Sequence, residues 1–369
     1  MSSEHSASRL YYRAWIGALS VLIAAGLASY LRQLDYGLGL TGMSRDVSWG
    51  LYIGQFTFAV GIAASAVMLV LPCYLHNAKA FSKIVLYGEF IAISAVASCM
   101  LFIFADMGQP GRVLNMIFYA SPRSIMFWDM ISLSGYLAIN AVCAAVTLRA
   151  ERNELPPPAW LRPIVLLSIP WAVSIHTVTA FLYCGLAARP FWFTAILAPR
   201  FLASAFASGP ALLLLILRAA GIHIEPGARG KLATVITYAM ALNVFFVLLE
   251  LFTHFYSGIG HHPLPPVFWI SAVLSTAAFF LLLFFRRHLI PACALTFFAL
   301  WLDKGLTMVT AGFNPSPLGV VTAYTPTAPE IAIAAGIWSA GALLATVLFR
   351  RATAVRAYGS TEVVEEVLI

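Results

Sequence analysis

Long runs of hydrophobic residues recur along the chain, separated by short segments rich in Arg, Gly and Pro. A helix needs about 17–25 residues to cross a bilayer, and ten of the runs are that long. The predicted helices cover residues 14–31, 50–76, 84–105, 124–148, 161–186, 196–217, 231–256, 267–285, 289–309 and 329–349. Only Arg286-Arg287-His288 separates the eighth run from the ninth, and together these two runs are too long for one crossing. The pattern predicts an all-α, polytopic membrane protein with about ten transmembrane helices.

The composition agrees with burial of most of the chain in a bilayer. Of 369 residues, 61% are hydrophobic and 10% are charged, whereas a soluble domain carries about 25% charged residues. So few polar side chains indicate that residues 1–369 form a single transmembrane domain. We expect a cytoplasmic N-terminal segment at 1–13, a helical membrane domain at 14–349, and a polar cytoplasmic tail at 350–369 that is mobile or partner-bound. The first run is expected to stay as a helix rather than to be removed as a signal peptide.

Basic residues predict which side of the membrane each connection faces. Fifteen of the 22 Lys and Arg residues lie near the two termini or in the connections after helices 2, 4, 6 and 8. The other side of the membrane holds six, namely Arg32, Arg45, Arg112, Arg123, Arg189 and Arg200, and Lys304 lies inside helix 9. Because cytoplasmic segments carry the excess of Lys and Arg, both termini are predicted to be cytoplasmic. The basic residues occur in short, dispersed clusters, so nucleic-acid binding has no support.

Bound metal centres are not expected in this chain. The five cysteines lie singly in or beside apolar runs, without the CxxC spacing of iron–sulfur or zinc sites. A membrane-embedded b-type haem usually needs two axial histidines on facing helices. Of the eight histidines, only His176 lies well inside a predicted helix. We therefore expect no haem, no iron–sulfur cluster and no other metal site here.

Most of the acids and histidines in the predicted helices lie toward the outer half of the membrane domain, and three of them are candidates for a ligand site: Asp106, Asp129 and His176. Ionisable residues inside membrane helices are costly, so each is a candidate functional residue. A polar pocket reached through lipid suits a quinone, whose redox head needs hydrogen-bond partners and whose tail lies in hydrocarbon. Quinol oxidation releases protons that Asp or His can accept. The structural alternatives are helix-end caps for Asp106 and Asp129 and a helix–helix hydrogen bond for His176.

Other ionisable residues are candidates for a proton path or for ion pairs. Glu89 lies in the cytoplasmic third of helix 3. Glu250 and His254, four residues apart, share one face of helix 7 and are equally compatible with a packing pair and a proton relay. The neighbours Asp303 and Lys304 in helix 9 favour structural ion pairs.

Several strings resemble the NrfD/PsrC family of polysulfide-reductase-type membrane subunits. They are DVSWGLYI at 46–53, DMGQPGR at 106–112, SPRSIMFWD at 121–129, SIHTV at 174–178 and YTPTAPE at 324–330. The resemblance is to the ten-helix branch, which includes the DsrP-type subunits of the DsrMKJOP sulfur-metabolism complex. Gln109 and Gly111 depart from the family's loop after helix 3.

The resemblance implies two four-helix bundles with flanking helices and a site for menaquinone or ubiquinone near the outer face. Carried onto this sequence, the site would be framed by Trp49, Tyr52, Gln55, Asp106, Trp128, Asp129 and His176. Trp49 and Tyr52 are three residues apart, as expected for one face of helix 2. An aromatic belt at the membrane interface is the alternative for these two residues.

The resemblance also implies partners. A periplasmic, ferredoxin-like iron–sulfur subunit would dock on the outer loops at 32–49 and 106–123, beside other membrane and cytochrome subunits. The membrane would be the cytoplasmic membrane of a bacterium or archaeon. The leading hypothesis is therefore a quinone-binding subunit of a respiratory oxidoreductase, weighed against two alternatives: a secondary transporter and a passive membrane anchor.

Overall fold

The computed structural model describes residues 2–71, 73, 81–256, 264–314, 316 and 319–366. Within these residues, ten helices are long and apolar enough to cross a membrane. These ten spans are built from α1 Ser2–Tyr36, α2 Leu51–Ala63, α3 Ser82–Asp106, α4 Ile125–Arg152, α5 Leu161–Cys184, α6 Leu197–Ala219, α7 Pro226–Tyr256, α8 Pro266–Phe284, α9 Leu289–Leu302 and α10 Ala328–Glu366. The second and ninth spans, Leu51–Val70 and Arg286–Gly312, extend beyond α2 and α9 themselves. The π-helical segment Asp303–Thr307 and the turn Met308–Gly312 continue α9. The predicted all-α, ten-helix membrane protein is confirmed.

The helices form two bundles joined side by side. In the first, α2, α3, α4 and α5 each pack against the next, and α5 closes the ring on α2. In the second, α6, α7, α8 and α9 close in the same way, while α2 and α5 contact α6. The flanking helices α1 and α10 pack on each other, and α10 also contacts α3. This arrangement confirms the two four-helix bundles with flanking helices that the resemblance implied, whereas the orientation in the membrane stays a prediction.

The second membrane helix is broken, although one continuous run was predicted at 50–76. Helix α2 ends at Ala63, a turn follows, and the helix resumes over Val67–Val70. A Cβ atom on Gly209 of α6 would lie 2.7 Å from the backbone nitrogen of Ser65, so the backbones of α6 and the turn approach closely. The predicted end at 76 lies outside the described residues.

The far end of α10 also differs from the prediction, which placed a polar tail after residue 349. The helix continues to Glu366. The Arg356 guanidinium donates to both carboxylate oxygens of Glu151 at the end of α4, at 2.9 and 2.7 Å. This two-pronged ion pair joins α10 to the first bundle beyond the predicted membrane boundary.

Gly54 lies where α2 meets the π-helical segment of α9. A Cβ atom at this position would clash with the backbone carbonyl of Gly305, so a helix would have to move. We expect Gly54→Ala to lower the free energy of unfolding by about 1–3 kcal/mol, the usual cost of overpacking. Thermal unfolding in detergent, followed by circular dichroism, measures the effect. The matched control is Gly227→Ala, because a Cβ atom there meets nothing within 4 Å; equal midpoints for both variants would contradict the prediction.

Candidate functional site

A cavity of about 350 Å³ lies in the first bundle, where α3 ends and α4 begins. Most of its wall is apolar, formed by Ile53, Phe56, Met100, Ile103, Phe104, Met107, Val113, Met116, Met126, Met130, Leu133 and Leu182. The polar or aromatic-polar members of the wall are Trp49, Asp106, Asp129, Ser134 and Tyr183. An apolar cavity with a few convergent polar groups is the usual form of a small-molecule site.

Asp129 is a buried carboxylate in this wall, with 4% of its surface exposed. The Thr179 hydroxyl on α5 donates to Asp129 Oδ1 at 2.8 Å. The carboxylate thus takes its side-chain hydrogen bond from a neighbouring helix. Asp129 lies beyond the first turn of α4, which begins at Ile125, so the helix-end cap considered for it is not formed. A carboxylate held by one donor beside an apolar cavity can accept a proton.

Asp106 is the last residue of α3 and the second carboxylate in the wall. Its Oδ1 atom is buried and has no hydrogen-bond partner among the described residues. Buried polar atoms in folded proteins are nearly always hydrogen-bonded, so an orphaned oxygen on a cavity wall indicates a missing partner, such as a ligand or water.

Trp49 and Tyr183 form an aromatic side of the cavity. Their ring centroids are 5.4 Å apart with an interplanar angle of 80°, and both rings also contact Trp192. The Tyr183 hydroxyl lies 2.5 Å from Thr57 Oγ1, which ties the phenol to α2. Edge-to-face contacts of this kind hold aromatic rings in fixed orientations.

Sequence reasoning missed Thr179 and Tyr183, although a signal was available. Residues three and seven positions after His176 share its face of a helix, and these are Thr179 and Tyr183. The methionines that line the cavity were missed as well, because the sequence alone does not distinguish a methionine that faces a cavity from one that faces lipid.

Trp49 and Tyr52 were predicted to share one helix face, but only Trp49 lines the cavity. Helix α2 begins only at Leu51, because Gly50 has an extended conformation with φ −108° and ψ −151°. Trp49 therefore precedes the helix and lines the cavity. Tyr52 is not in the cavity wall: its hydroxyl donates to Gln33 Oε1 at 2.7 Å, which joins α2 to α1.

Gln55 likewise lies outside the cavity wall, at the contact of α2 with α9 and α10. Its Oε1 accepts hydrogen bonds from the indoles of Trp301 and Trp338 at 2.8 and 2.9 Å. Its Nε2 donates to the Gly305 carbonyl at 3.2 Å. These three bonds are to protein groups that connect the two bundles and the flanking helix.

Trp128 and His176 are also absent from the cavity wall. Trp128 is 48% exposed, and its indole donates to the Pro122 carbonyl at 2.8 Å. His176 is 1% exposed, and neither ring nitrogen has a hydrogen-bond partner among the described residues. The helix–helix hydrogen bond considered for His176 is therefore not formed by the residues described.

A group of buried charges lies at the interface of α6, α7 and α9. Arg200, counted among the basic residues of the outer side, lies in α6 as the predicted helix at 196–217 implies, with 2% of its surface exposed. Its guanidinium contacts Asp303 at 2.7 Å and Glu250 at 3.8 Å. Lys304 donates to the Phe201 carbonyl at 3.0 Å. Of the two residues expected to form ion pairs, Asp303 pairs with Arg200, while the contact found for Lys304 is with a backbone carbonyl. Glu250 also pairs with Arg200.

The proton-path candidates lie in two different bundles, with Glu250 and His254 on α7 and Glu89 on α3. Glu250 belongs to the buried charges of the second bundle, and the His254 ring meets the Phe255 ring edge-on at 5.2 Å. Glu89 is buried in α3 of the first bundle, with 3% exposure. Its Oε2 atom has no hydrogen-bond partner among the described residues.

Comparison with known proteins decides the family. Residues 39–309 match the sequence profile described as polysulphide reductase, NrfD, and this range contains the whole cavity wall. The chain belongs to the NrfD family. The match covers both four-helix bundles of this NrfD-family chain, whereas α10 lies outside it.

Curated relatives of the NrfD-family chain are named as subunits of reductases and oxidoreductases. A Halobacterium salinarum protein, provisionally named as a membrane subunit of dimethyl sulfoxide reductase, is 27% identical over 90% of this chain and 89% of its own length. A selenate reductase subunit of Mesobacillus selenatarsenatis is 24% identical over 66% and 65%. The Hdr-like menaquinol oxidoreductase integral membrane subunit of Archaeoglobus fulgidus is 25% identical over 63% and 59%. The aligned region thus spans less than two thirds of the latter two relatives.

Proposed function

We propose that this chain is the quinone-binding membrane subunit of a multi-subunit respiratory oxidoreductase. The observation that carries the proposal is the apolar cavity of about 350 Å³ with the carboxylates of Asp106 and Asp129 in its wall. Family membership and the menaquinol oxidoreductase subunit among the relatives support it. Menaquinone or ubiquinone is the proposed ligand.

The cavity fits the head of a quinone in size and in chemistry. Ligand pockets of about 300–1,000 Å³ with mainly apolar walls and few polar groups are typical of small-molecule sites. A planar head can lie against Trp49 and Tyr183, while the methionine-rich wall adapts to its shape. The unpartnered Oδ1 of Asp106 can accept a hydrogen bond from a hydroquinone hydroxyl.

Asp129 is the proposed proton acceptor of the site. A bound hydroquinone supplies two electrons and two protons when it is oxidised. The Thr179 hydrogen bond holds Asp129 Oδ1 in place, which orients the carboxylate toward the cavity. Asp106 would take the second proton, and His176, one turn before Thr179 on the same helix face, would act as a further base behind Asp129.

The proposed partner is a periplasmic, ferredoxin-like iron–sulfur subunit on the loops at 32–49 and 106–123. The second loop contains a helical turn, Asn115–Phe118. Large hydrophobic side chains in and directly after this turn are exposed: Ile117 by 58%, Phe118 by 73% and Tyr119 by 80%. Exposed apolar patches indicate interaction sites. Met116 of the same turn belongs to the cavity wall, so a docked redox partner would lie close to the quinone.

We further propose an orientation in the membrane, a proton path and the other subunits of the complex. The excess of basic residues at the ends opposite Asp106 favours N-in and C-in, with the cavity toward the periplasm in a bacterial or archaeal cytoplasmic membrane. Glu89, Glu250 and His254 remain the proposed proton-path residues. Other membrane and cytochrome subunits, and a role in sulfur metabolism like that of the DsrP-type branch, complete the proposal.

Binding of a hydroxyquinoline N-oxide quinone analogue to the detergent-solubilised native complex tests the proposal. We expect saturable binding that Met130→Trp weakens at least about tenfold, because the indole fills the cavity. The matched control, Val142→Trp, lies on the same helix and is 40% exposed outside the cavity. Equal binding by both variants would place the ligand elsewhere, and no binding by the wild type would favour a passive anchor or a transporter.

A further inference from the structure

Glu330, near the start of α10, is a buried carboxylate on which three segments of the chain converge. Its Oε1 accepts hydrogen bonds from the Tyr324 hydroxyl at 2.5 Å and from the Leu51 backbone N–H at 3.3 Å. Its Oε2 accepts from the backbone N–H groups of Gly42 at 2.8 Å and Thr327 at 3.2 Å. One side chain thus joins the loop before α2, the first residue of α2 and the loop before α10.

Two glycines make room for this convergence. A Cβ atom on Gly50 would lie 2.7 Å from Glu330 Oε1 and 2.8 Å from the Tyr324 hydroxyl oxygen. A Cβ atom on Gly42 would clash with the Thr325 carbonyl. Only glycine permits such a close approach, so the chain from 42 to 50 is shaped around the carboxylate.

Tyr324 strengthens the same attachment. The Leu51 N–H also donates to the Tyr324 hydroxyl oxygen at 2.6 Å, while that hydroxyl donates to Glu330. Burial, followed by the neighbouring Glu330 carboxylate, raises the pKa of the Tyr324 phenol, so the phenol keeps the proton that it donates. A negative carboxylate is also favourable near the N-terminus of α2.

The attachment point lies two residues from the cavity wall. Trp49 precedes Gly50 and Leu51, lines the cavity and packs edge-on against Tyr183. Glu330 itself is not in the wall. We propose that Glu330 is a positioning residue for the quinone cavity: it holds the backbone at the start of α2 and thereby sets the Trp49 ring in the wall. The inference rests on the proposed function of this cavity.

Glu330→Gln tests this role with binding of the hydroxyquinoline N-oxide analogue to the native complex. A glutamine side chain has one acceptor oxygen and one donor amide, so some of the four converging donors lose their acceptor. We expect the dissociation constant to rise about tenfold through misplacement of Trp49. The matched control is Glu151→Gln, which also removes a hydrogen-bonded carboxylate but at the opposite end of the bundle; its binding should equal that of the wild type.

A double-mutant cycle with Trp49→Phe separates positioning from a general loss of structure. If Glu330 acts through Trp49, the double variant should bind the analogue no more weakly than Trp49→Phe alone. Strictly additive losses would overturn the inference. Tyr324→Phe provides a second variant that keeps the Glu330 carboxylate, and it should raise the dissociation constant by a smaller factor.

The outcomes distinguish this inference from the proposed function. Wild-type binding with unchanged affinity in both Glu330→Gln and Tyr324→Phe would overturn the positioning role and leave the quinone site intact. Absence of binding by the wild-type complex would overturn both. A tenfold loss in Glu330→Gln that disappears in the Trp49→Phe background would support the positioning role.

Discussion

Asp129→Asn should reduce quinol-linked turnover of the assembled complex by at least about 100-fold, the lower range for loss of a general base. Asparagine has nearly the same shape, and its Oδ1 can still accept the Thr179 hydrogen bond. It cannot accept a proton from a bound hydroquinone. The variant therefore removes the proposed chemistry while it preserves the packing of α4 on α5.

The measurement is electron transfer from a soluble quinol to the complex, with binding of the quinone analogue determined in parallel. The affinity for the analogue should change by no more than a few fold, because the substitution removes proton transfer, which affects turnover, and leaves the contacts that bind the ligand in place. Glu154→Gln, at an exposed acid in the connection after α4, is the control and should retain wild-type turnover. Wild-type turnover in Asp129→Asn would exclude this residue as the base.

His176→Ala should lower turnover by a smaller factor than Asp129→Asn. His176 is buried in α5 and does not line the cavity. A base in that position affects the onward movement of the proton, not its first transfer. A loss as large as that of Asp129→Asn would mean that the head of the quinone reaches deeper into the bundle than the cavity indicates.

Arg200→Ala should give the largest loss of stability among single substitutions in the second bundle. The guanidinium is buried between Asp303, at 2.7 Å, and Glu250, at 3.8 Å. Its removal leaves two carboxylates without their cation in a region shielded from water. Loss of one partner from a buried ion pair typically costs about 3–5 kcal/mol.

Thermal unfolding in detergent and the amount of protein in the membrane both report on this loss. Arg162→Ala removes an exposed cation and should have little effect. The double variant Arg200→Met/Asp303→Leu should recover part of the stability, since it replaces the closest charged pair by apolar side chains. A melting temperature for Arg200→Ala equal to that of Arg162→Ala would show that the carboxylates do not depend on this cation.

The number of helices followed from the order of residues alone. Each run of apolar residues is stable across a bilayer because its own backbone groups are hydrogen-bonded within the helix, and this requirement acts on each segment separately. The ends were predicted less well. The break after Ala63 depends on the approach of Gly209 from α6, and the extension of α10 accompanies an ion pair with Glu151 on another helix.

The candidate site was predictable only where its residues come from helices that are neighbours in the sequence. Asp106 ends α3 and Asp129 lies near the start of α4, the next membrane helix, so both are expected at the same end of the bundle. Tyr52 and Gln55 also lie near that end of the bundle, but the rotation of α2 directs them toward α1, α9 and α10. Rotation about a helix axis is set by packing with helices distant in the sequence.

The charged residues show the same division most clearly. The sequence places Arg200 in the predicted helix at 196–217, among the basic residues of the outer side, and does not show whether its side chain is buried. Its burial depends on two acids, about 50 and 100 residues further on, that α7 and α9 bring to it. Membrane insertion is a property of each segment, whereas the pairing of buried polar groups is a property of the assembled bundles, because their cost falls only when distant partners meet.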